Sequence, residues 1–189
     1  MKNRIILLLS VILTTMISCR TQSVKEVDIC IYGGTSAGVI AAYTAQQSGK
    51  SVLLIEPGRH LGGMSSGGLG FTDIGNKYVV QGLALDFYRR LGTHYGKLEQ
   101  WIFEPSVAET IFKDYIKRAG IEVWYENRLS DVEKQRNSIT TITLEDSKHP
   151  NHTTNRKVRA KVFIDCSYEG DLMAKSGVSY IVGREANSQ

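Results

Sequence analysis

Residues 27–56 constrain this chain more than any other stretch. Val27-Asp28-Ile29-Cys30-Ile31-Tyr32 is rich in β-branched and aromatic residues and reads as a strand. Gly33-Gly34-Thr35-Ser36-Ala37-Gly38 follows as a turn, and 39–48 is an Ala-rich helix closed by Gly49. Ser51-Val52-Leu53-Leu54-Ile55-Glu56 is a second strand, and its unbroken apolar run suits a parallel strand covered on both faces. Strand, glycine turn, helix and strand in this order make a βαβ unit of the dinucleotide-binding kind.

The turn departs from the usual fingerprint, which places glycine at the first, third and sixth positions. Gly33 and Gly38 fit, but Thr35 stands in the middle. A Cβ there should push the phosphates outward, or its hydroxyl should donate to them. The helix N-terminus beside Ser36 and Ala37 offers unpaired N–H groups and partial positive charge to a pyrophosphate. Glu56 ends the second strand where an acid accepts from the ribose hydroxyls of an adenosine. The alternative is a Rossmann-like unit whose glycines only make a tight turn.

The loop after Glu56 separates FAD from NAD. An NAD domain would proceed into further βα units. Here Pro57-Gly58-Arg59-His60-Leu61-Gly62-Gly63-Met64 opens a Gly-rich stretch reaching about residue 76. Such a stretch lets backbone run close to a bulky ligand, and Arg59 can offset pyrophosphate charge. Further on, helices are expected over 79–91 and from Pro105 to Gly120, with Pro in a first turn. Strands are expected at 121–125 and 158–166, an antiparallel pair at 129–134 and 138–145, and a short helix at 169–176.

Three stretches together resemble the FAD-dependent oxidoreductases of the glutathione-reductase-type fold, in an exported bacterial branch. They are 32–38, 54–64 and Gly68-Leu69-Gly70-Phe71-Thr72-Asp73. Two more agree: Phe103-Glu104-Pro105-Ser106-Val107-Ala108, and 162–172, which is similar to that family's second FAD motif with Tyr168 where Gly is common. The resemblance implies an α/β fold: a Rossmann-like parallel sheet with the βαβ FAD-binding unit and a small antiparallel β segment, forming part of an FAD domain. It implies FAD as cofactor and a small organic molecule as substrate. Gly33, Gly34, Thr35, Ser36, Ala37 and Gly38 would surround the pyrophosphate, and Glu56 and Pro57 would border the adenosine ribose. Arg59, Gly62, Gly63 and Met64 would border the pyrophosphate and the approach to the flavin. The strand at Leu129 would offer backbone to adenine, and Gly170 and Asp171 would return to the phosphate and ribityl region. No catalytic acid or base is identified, and His60 is read as a loop residue rather than a covalent flavin attachment.

Family members are several hundred residues long, so this chain of 189 residues is expected to be the N-terminal portion of a longer flavoprotein. A truncated, non-catalytic nucleotide-binding remnant and a surface binding lipoprotein are the competing readings. Lys2, Arg4 and the apolar run 5–17 read as a signal peptide over 1–18, too short to span a bilayer. Met16-Ile17-Ser18-Cys19 resembles a lipobox, so Cys19 is expected to carry lipid, 19–26 to be a tether and 27–189 to be the FAD-binding part. That predicts a protein anchored by lipid to a bacterial membrane on its exported side. Cys30 and Cys166 lie in strand-like runs and are read as buried thiols, with a disulfide as the alternative. The net charge of +4 comes with no basic stripe interleaved with aromatics, so nucleic acid is not implied. No Cys/His spacing suggests a metal.

Overall fold

The computed structural model describes residues 24–150 and 156–183. The signal-peptide and Cys19 readings lie outside them. Strand β1 (Val24–Tyr32) occupies the middle of a six-stranded sheet of order β3-β2-β1-β6-β5-β4. β2 (Val52–Glu56) pairs with it in parallel, Ile29 against Val52 through Tyr32 against Ile55. Helix α1 (Ser36–Gln47) is the crossover that a parallel pair requires. β3 (Glu122–Tyr125) extends the parallel set beyond β2. On the other side β6 (Arg156–Asp165) pairs in parallel with the whole of β1.

The hairpin β4 (Asn127–Gln135) and β5 (Ser138–Asp146) is antiparallel, as expected. It is not a separate segment. β5 pairs antiparallel with the first half of β6, so the hairpin continues the same sheet. β1 begins at Val24, inside the stretch read as a tether. Lys25 and Glu26 extend the strand because charged partners flank them: Lys25 pairs with Glu122 at 2.5 Å and Glu26 with Arg159 at 2.6 Å.

Alternation along β1 and β2 builds two cores. Ile31 and Leu54 face the helices, with Val39, Leu61, Phe112 and Tyr115. Cys30, Tyr32, Leu53 and Ile55 face the other side, with Leu129, Ile142, Leu144 and Val158. On the helical side, the loop between β2 and β3 carries α2 (Met64–Gly67), α3 (Gly82–His94) and α4 (Pro105–Ala119). α4 starts on its proline and stops at Gly120, which adopts the left-handed conformation at φ 64°. It is pinned by Tyr115 against Tyr43 of α1 and by Phe112 stacked on Phe87 of α3 at 4.7 Å. Helix α3 begins three residues later than the periodicity suggested. The Asn76 side chain accepts from the Tyr78 N–H and holds Lys77–Val79 in a tighter 3₁₀ turn. α5 (Asp171–Lys175) follows β6. Among the described residues no helix is long and apolar enough to cross a membrane.

Candidate functional site

The C-terminal ends of β1, β2 and β6 converge, as they do at the ligand crevice of open α/β sheets. From β1 the chain turns at Gly33, whose φ of +101° disfavours any side chain and whose N–H donates to the Ile55 carbonyl at 2.8 Å. A Cβ at Gly33 would sit 2.6 Å from the Ser167 nitrogen, so the glycine lets the end of β6 close over the turn. Gly38 serves helix packing, since a Cβ there would fall 1.9 Å from the Gly33 carbonyl oxygen.

Thr35 does something the sequence did not reveal. It is the N-cap of α1, and its hydroxyl accepts from the Gly38 N–H at 3.3 Å. The same hydroxyl donates to the Cys166 carbonyl at 2.9 Å. Its proton is therefore given to the carbonyl just beyond β6. The N–H groups of Ser36 and Ala37 remain as first-turn donors without an intrahelical partner.

Glu56 clamps two turns at once. One carboxylate oxygen accepts from the Gly34 N–H and the other from the Gly58 N–H, each at 2.6 Å. Gly34 must be small for this, because its Cβ would lie 2.7 Å from the Glu56 oxygen. The Gly-rich loop then returns to the turn: Gly62 donates to the Gly34 carbonyl at 2.8 Å and bridges Thr35 in parallel fashion. Gly62 abuts the Phe112 ring, and Gly63 abuts the Tyr168 hydroxyl, at distances that exclude a Cβ in both cases.

A cavity of about 240 Å³ lies in this frame, lined by Gly33, Thr35, Glu56, Gly63, Tyr168 and Asp171. A second of about 590 Å³ adjoins it across Glu56, His60 and Gly63, and reaches Arg59, Ser66 and Ser106. The predicted residues Gly33, Thr35, Glu56, Pro57, Gly63 and Asp171 thus share one cavity, with Gly34, Gly38 and Gly62 shaping its walls. Gly170, left-handed at φ 70°, caps α5 behind it.

Two further predicted residues, Arg59 and Leu129, make contacts within the protein. Arg59 is ion-paired with Glu126, which Lys148 also contacts at 2.7 Å, so its charge is turned toward the β3–β4 junction. Leu129 is buried, and its N–H donates to the Tyr32 hydroxyl at 3.2 Å, so that donor is not presented to a ligand. His60 contacts Glu109 at 3.0 Å through Nδ1. Burial alone would raise the Glu109 carboxyl, but hydrogen bonds from Lys113 and His60 bring it below the usual range. Cys30 and Cys166 are free thiols. Burial pushes the Cys30 thiol up to about 12, and raises that of Cys166 with help from the Asp165 charge. Among the described residues no cluster could hold a metal ion.

Three residues at the end of β6 received no role from the sequence. Asp165 accepts from the Ser167 N–H and hydroxyl at 2.9 and 2.6 Å, and from the Met173 N–H at 2.9 Å. Ser167 in turn accepts from the Gly170 N–H at 3.0 Å. Together they fix the segment that carries Tyr168 over the cavity. The Asp-x-Ser spacing is the local signal that could have shown the turn, since short polar side chains there bond to nearby backbone.

A family model described as FAD dependent oxidoreductase matches residues 28–189. The chain belongs to that family. FAD is accordingly the dinucleotide of this FAD-dependent oxidoreductase chain. Similar proteins include the thiamine thiazole synthase of Pyrococcus horikoshii, 25% identical over 79% of this chain and 60% of that protein. The corresponding synthase of Pyrococcus abyssi is 27% identical over the same shares. The chain thus spans about 60% of the length of these curated relatives. The L-proline dehydrogenase of Pyrococcus horikoshii superposes with a TM-score of 0.62 at 13% identity, over 85% of this chain and 58% of that one. That likeness is one of fold.

The residues present fit the adenosine and pyrophosphate half of FAD. Gly33 and the N-cap Thr35 of helix α1 line the cavity beside the helix's first-turn N–H groups, and the acid Glu56 stands in the same lining.

Proposed function

We propose that this chain is the cofactor-holding part of an oxidoreductase that acts on a small organic molecule. FAD, when bound, supplies the electron-transfer chemistry. The chain's residues bind and orient. Ser36 and Ala37 direct N–H groups at phosphate from the α1 N-terminus. Glu56 keeps lone pairs for ribose hydroxyls, since a carboxylate has about four acceptor sites and two are used by Gly34 and Gly58. Gly63 and Met64 line the way toward the flavin ring.

The observation that carries this reading is Glu56 bracing the Gly34 and Gly58 turns at the rim of a cavity that also contains Gly33 and Thr35. An anionic side chain held at a strand end beside a helix N-terminus suits a sugar next to a phosphate. The test is titration of the purified full chain with FAD, followed by flavin fluorescence and visible absorbance. Binding is expected, and Glu56→Ala should weaken it by about 1–3 kcal/mol. Unchanged affinity in the variant would remove Glu56 from the site. A chain that takes up no FAD would favour a nucleotide-binding remnant or a surface scaffold.

The same proposal places the protein outside the cytoplasm, tethered by lipid on Cys19, on the strength of the apolar run 5–17 and the Met16-Ile17-Ser18-Cys19 sequence. Mass spectrometry of the mature N-terminus tests it. An unlipidated terminus at a residue other than Cys19 would refute the anchor.

A further inference from the structure

We propose that Tyr168 is a phosphate-contact residue of the FAD site: its hydroxyl, seated over Gly63 by the Met64 N–H, donates its proton to a pyrophosphate oxygen. The inference rests on the FAD-binding reading above and adds a residue to it.

The Tyr168 ring is half exposed and lines the cavity formed by Gly33, Thr35, Glu56 and Asp171. Its hydroxyl accepts from the Met64 N–H at 2.7 Å. A Cβ at Gly63 would lie 2.1 Å from that oxygen, so the backbone there leaves room for the phenol and nothing else. A phenol is both donor and acceptor. Met64 satisfies an acceptor lone pair, and the proton meets no acceptor among the described residues. Glu169 and Asp171 also stand at this cavity, and neither accepts from the Tyr168 hydroxyl among the described residues. Both Asp165 oxygens are taken by Ser167 and Met173, and Glu56 is bonded to Gly34 and Gly58.

The position is fixed from behind. Thr35 ties the Cys166 carbonyl to the start of α1, and Ser167 is held by Asp165, so Tyr168 leaves a braced segment. A compensation also becomes visible. The Thr35 hydroxyl consumes the Gly38 N–H, which removes one of the donors a helix start normally directs at an anion. Tyr168 delivers a donor to the same cavity from the segment after β6.

The test measures affinity of the full chain for FAD and for ADP, which shares the pyrophosphate but lacks the flavin, in the wild type and in Tyr168→Phe. The variant keeps the ring and removes only the hydroxyl. It should bind both ligands about tenfold or more weakly, as expected for a lost hydrogen bond to a charged group. Its ligand-free melting midpoint should match the wild type. Unchanged or tighter binding of FAD and ADP by the variant would overturn the inference while leaving the FAD reading intact. A melting midpoint that falls along with affinity would overturn it in favour of a structural role. Failure of the wild type to bind either ligand would remove the FAD reading and this inference together.

Discussion

Gly38→Ala tests the backbone geometry of the site most directly, because two effects of opposite sign compete there. Gly38 lies within helix α1, where alanine is ordinarily favoured by about 1 kcal/mol. A generic helix argument therefore predicts stabilisation. The structure predicts the reverse. The alanine Cβ would lie 1.9 Å from the Gly33 carbonyl oxygen, a backbone atom that is part of the nucleotide turn. Relief to ordinary contact requires helix and turn to separate by about 1.5 Å, in a wall where Ile31, Val39 and Ala42 are completely buried. Overpacking of this kind costs about 1–3 kcal/mol, and the shift would also disturb the Thr35 bond to Cys166. The disturbed Thr35 bond adds about 1 kcal/mol and the helix preference removes about 1 kcal/mol, so the net expectation is destabilisation by roughly 1–3 kcal/mol. Urea unfolding should show a midpoint lowered by about 0.5–1.5 M with the slope unchanged. Gly67→Ala is the control, since a Cβ there meets nothing within 4 Å. A Gly38→Ala chain as stable as the wild type would refute the close approach of α1 to the turn, and with it the account of the phosphate cradle.

Thr35→Val keeps the shape of the N-cap and removes a hydroxyl that serves both Gly38 and Cys166, so urea unfolding should reveal a loss of about 1–2 kcal/mol. Alkylation followed by mass spectrometry should leave Cys30 unmodified in native protein at pH 8, because burial holds its thiol near about 12; rapid native-state labelling would contradict its place in the core. Burial alone would raise the Asp86 carboxyl, yet hydrogen bonds from Tyr115 and Arg90 hold it below its ordinary value of 3.8. Its contribution to stability should therefore be present above that value and be lost as pH falls through the lowered one. Asp86→Asn should flatten this acid limb in melting experiments, and an unchanged limb would show that the carboxyl is not stabilised in the fold.

Local pattern carried most of the fold. The β-branched run at 27–32, the glycine turn, the Ala-rich helix and Gly49 together locate the βαβ unit, because each signal depends on neighbours in sequence. Pro105 and Gly120 likewise bracket α4 through chemistry at its own ends. Residues 24–26 were misread because a polar segment becomes a strand only when distant partners, Glu122 and Arg159, neutralise it. The hairpin was seen, but its fusion to the main sheet depends on β6 serving two neighbours, a tertiary fact with no local trace. In the site, Gly33, Gly38 and Glu56 were legible because the turn demands them. Thr35 was noticed, but its hydroxyl turned to Cys166, 131 residues away. Arg59 and Leu129 were reachable by position, but their partners Glu126 and the Tyr32 hydroxyl were not, because neither adjoins them in sequence.

The bond from Thr35 to Cys166 also dates the site within the life of the molecule. During synthesis, the turn at Gly33 leaves the ribosome long before the strand that closes over it. At about 5–20 residues per second the intervening chain takes on the order of ten seconds to appear. Throughout that interval one edge of β1 has no partner, and an unpaired apolar strand is a template for wrong pairings with other nascent chains. A nucleotide-binding half-site that looks complete by residue 56 therefore waits for residue 166 before its turn is closed over.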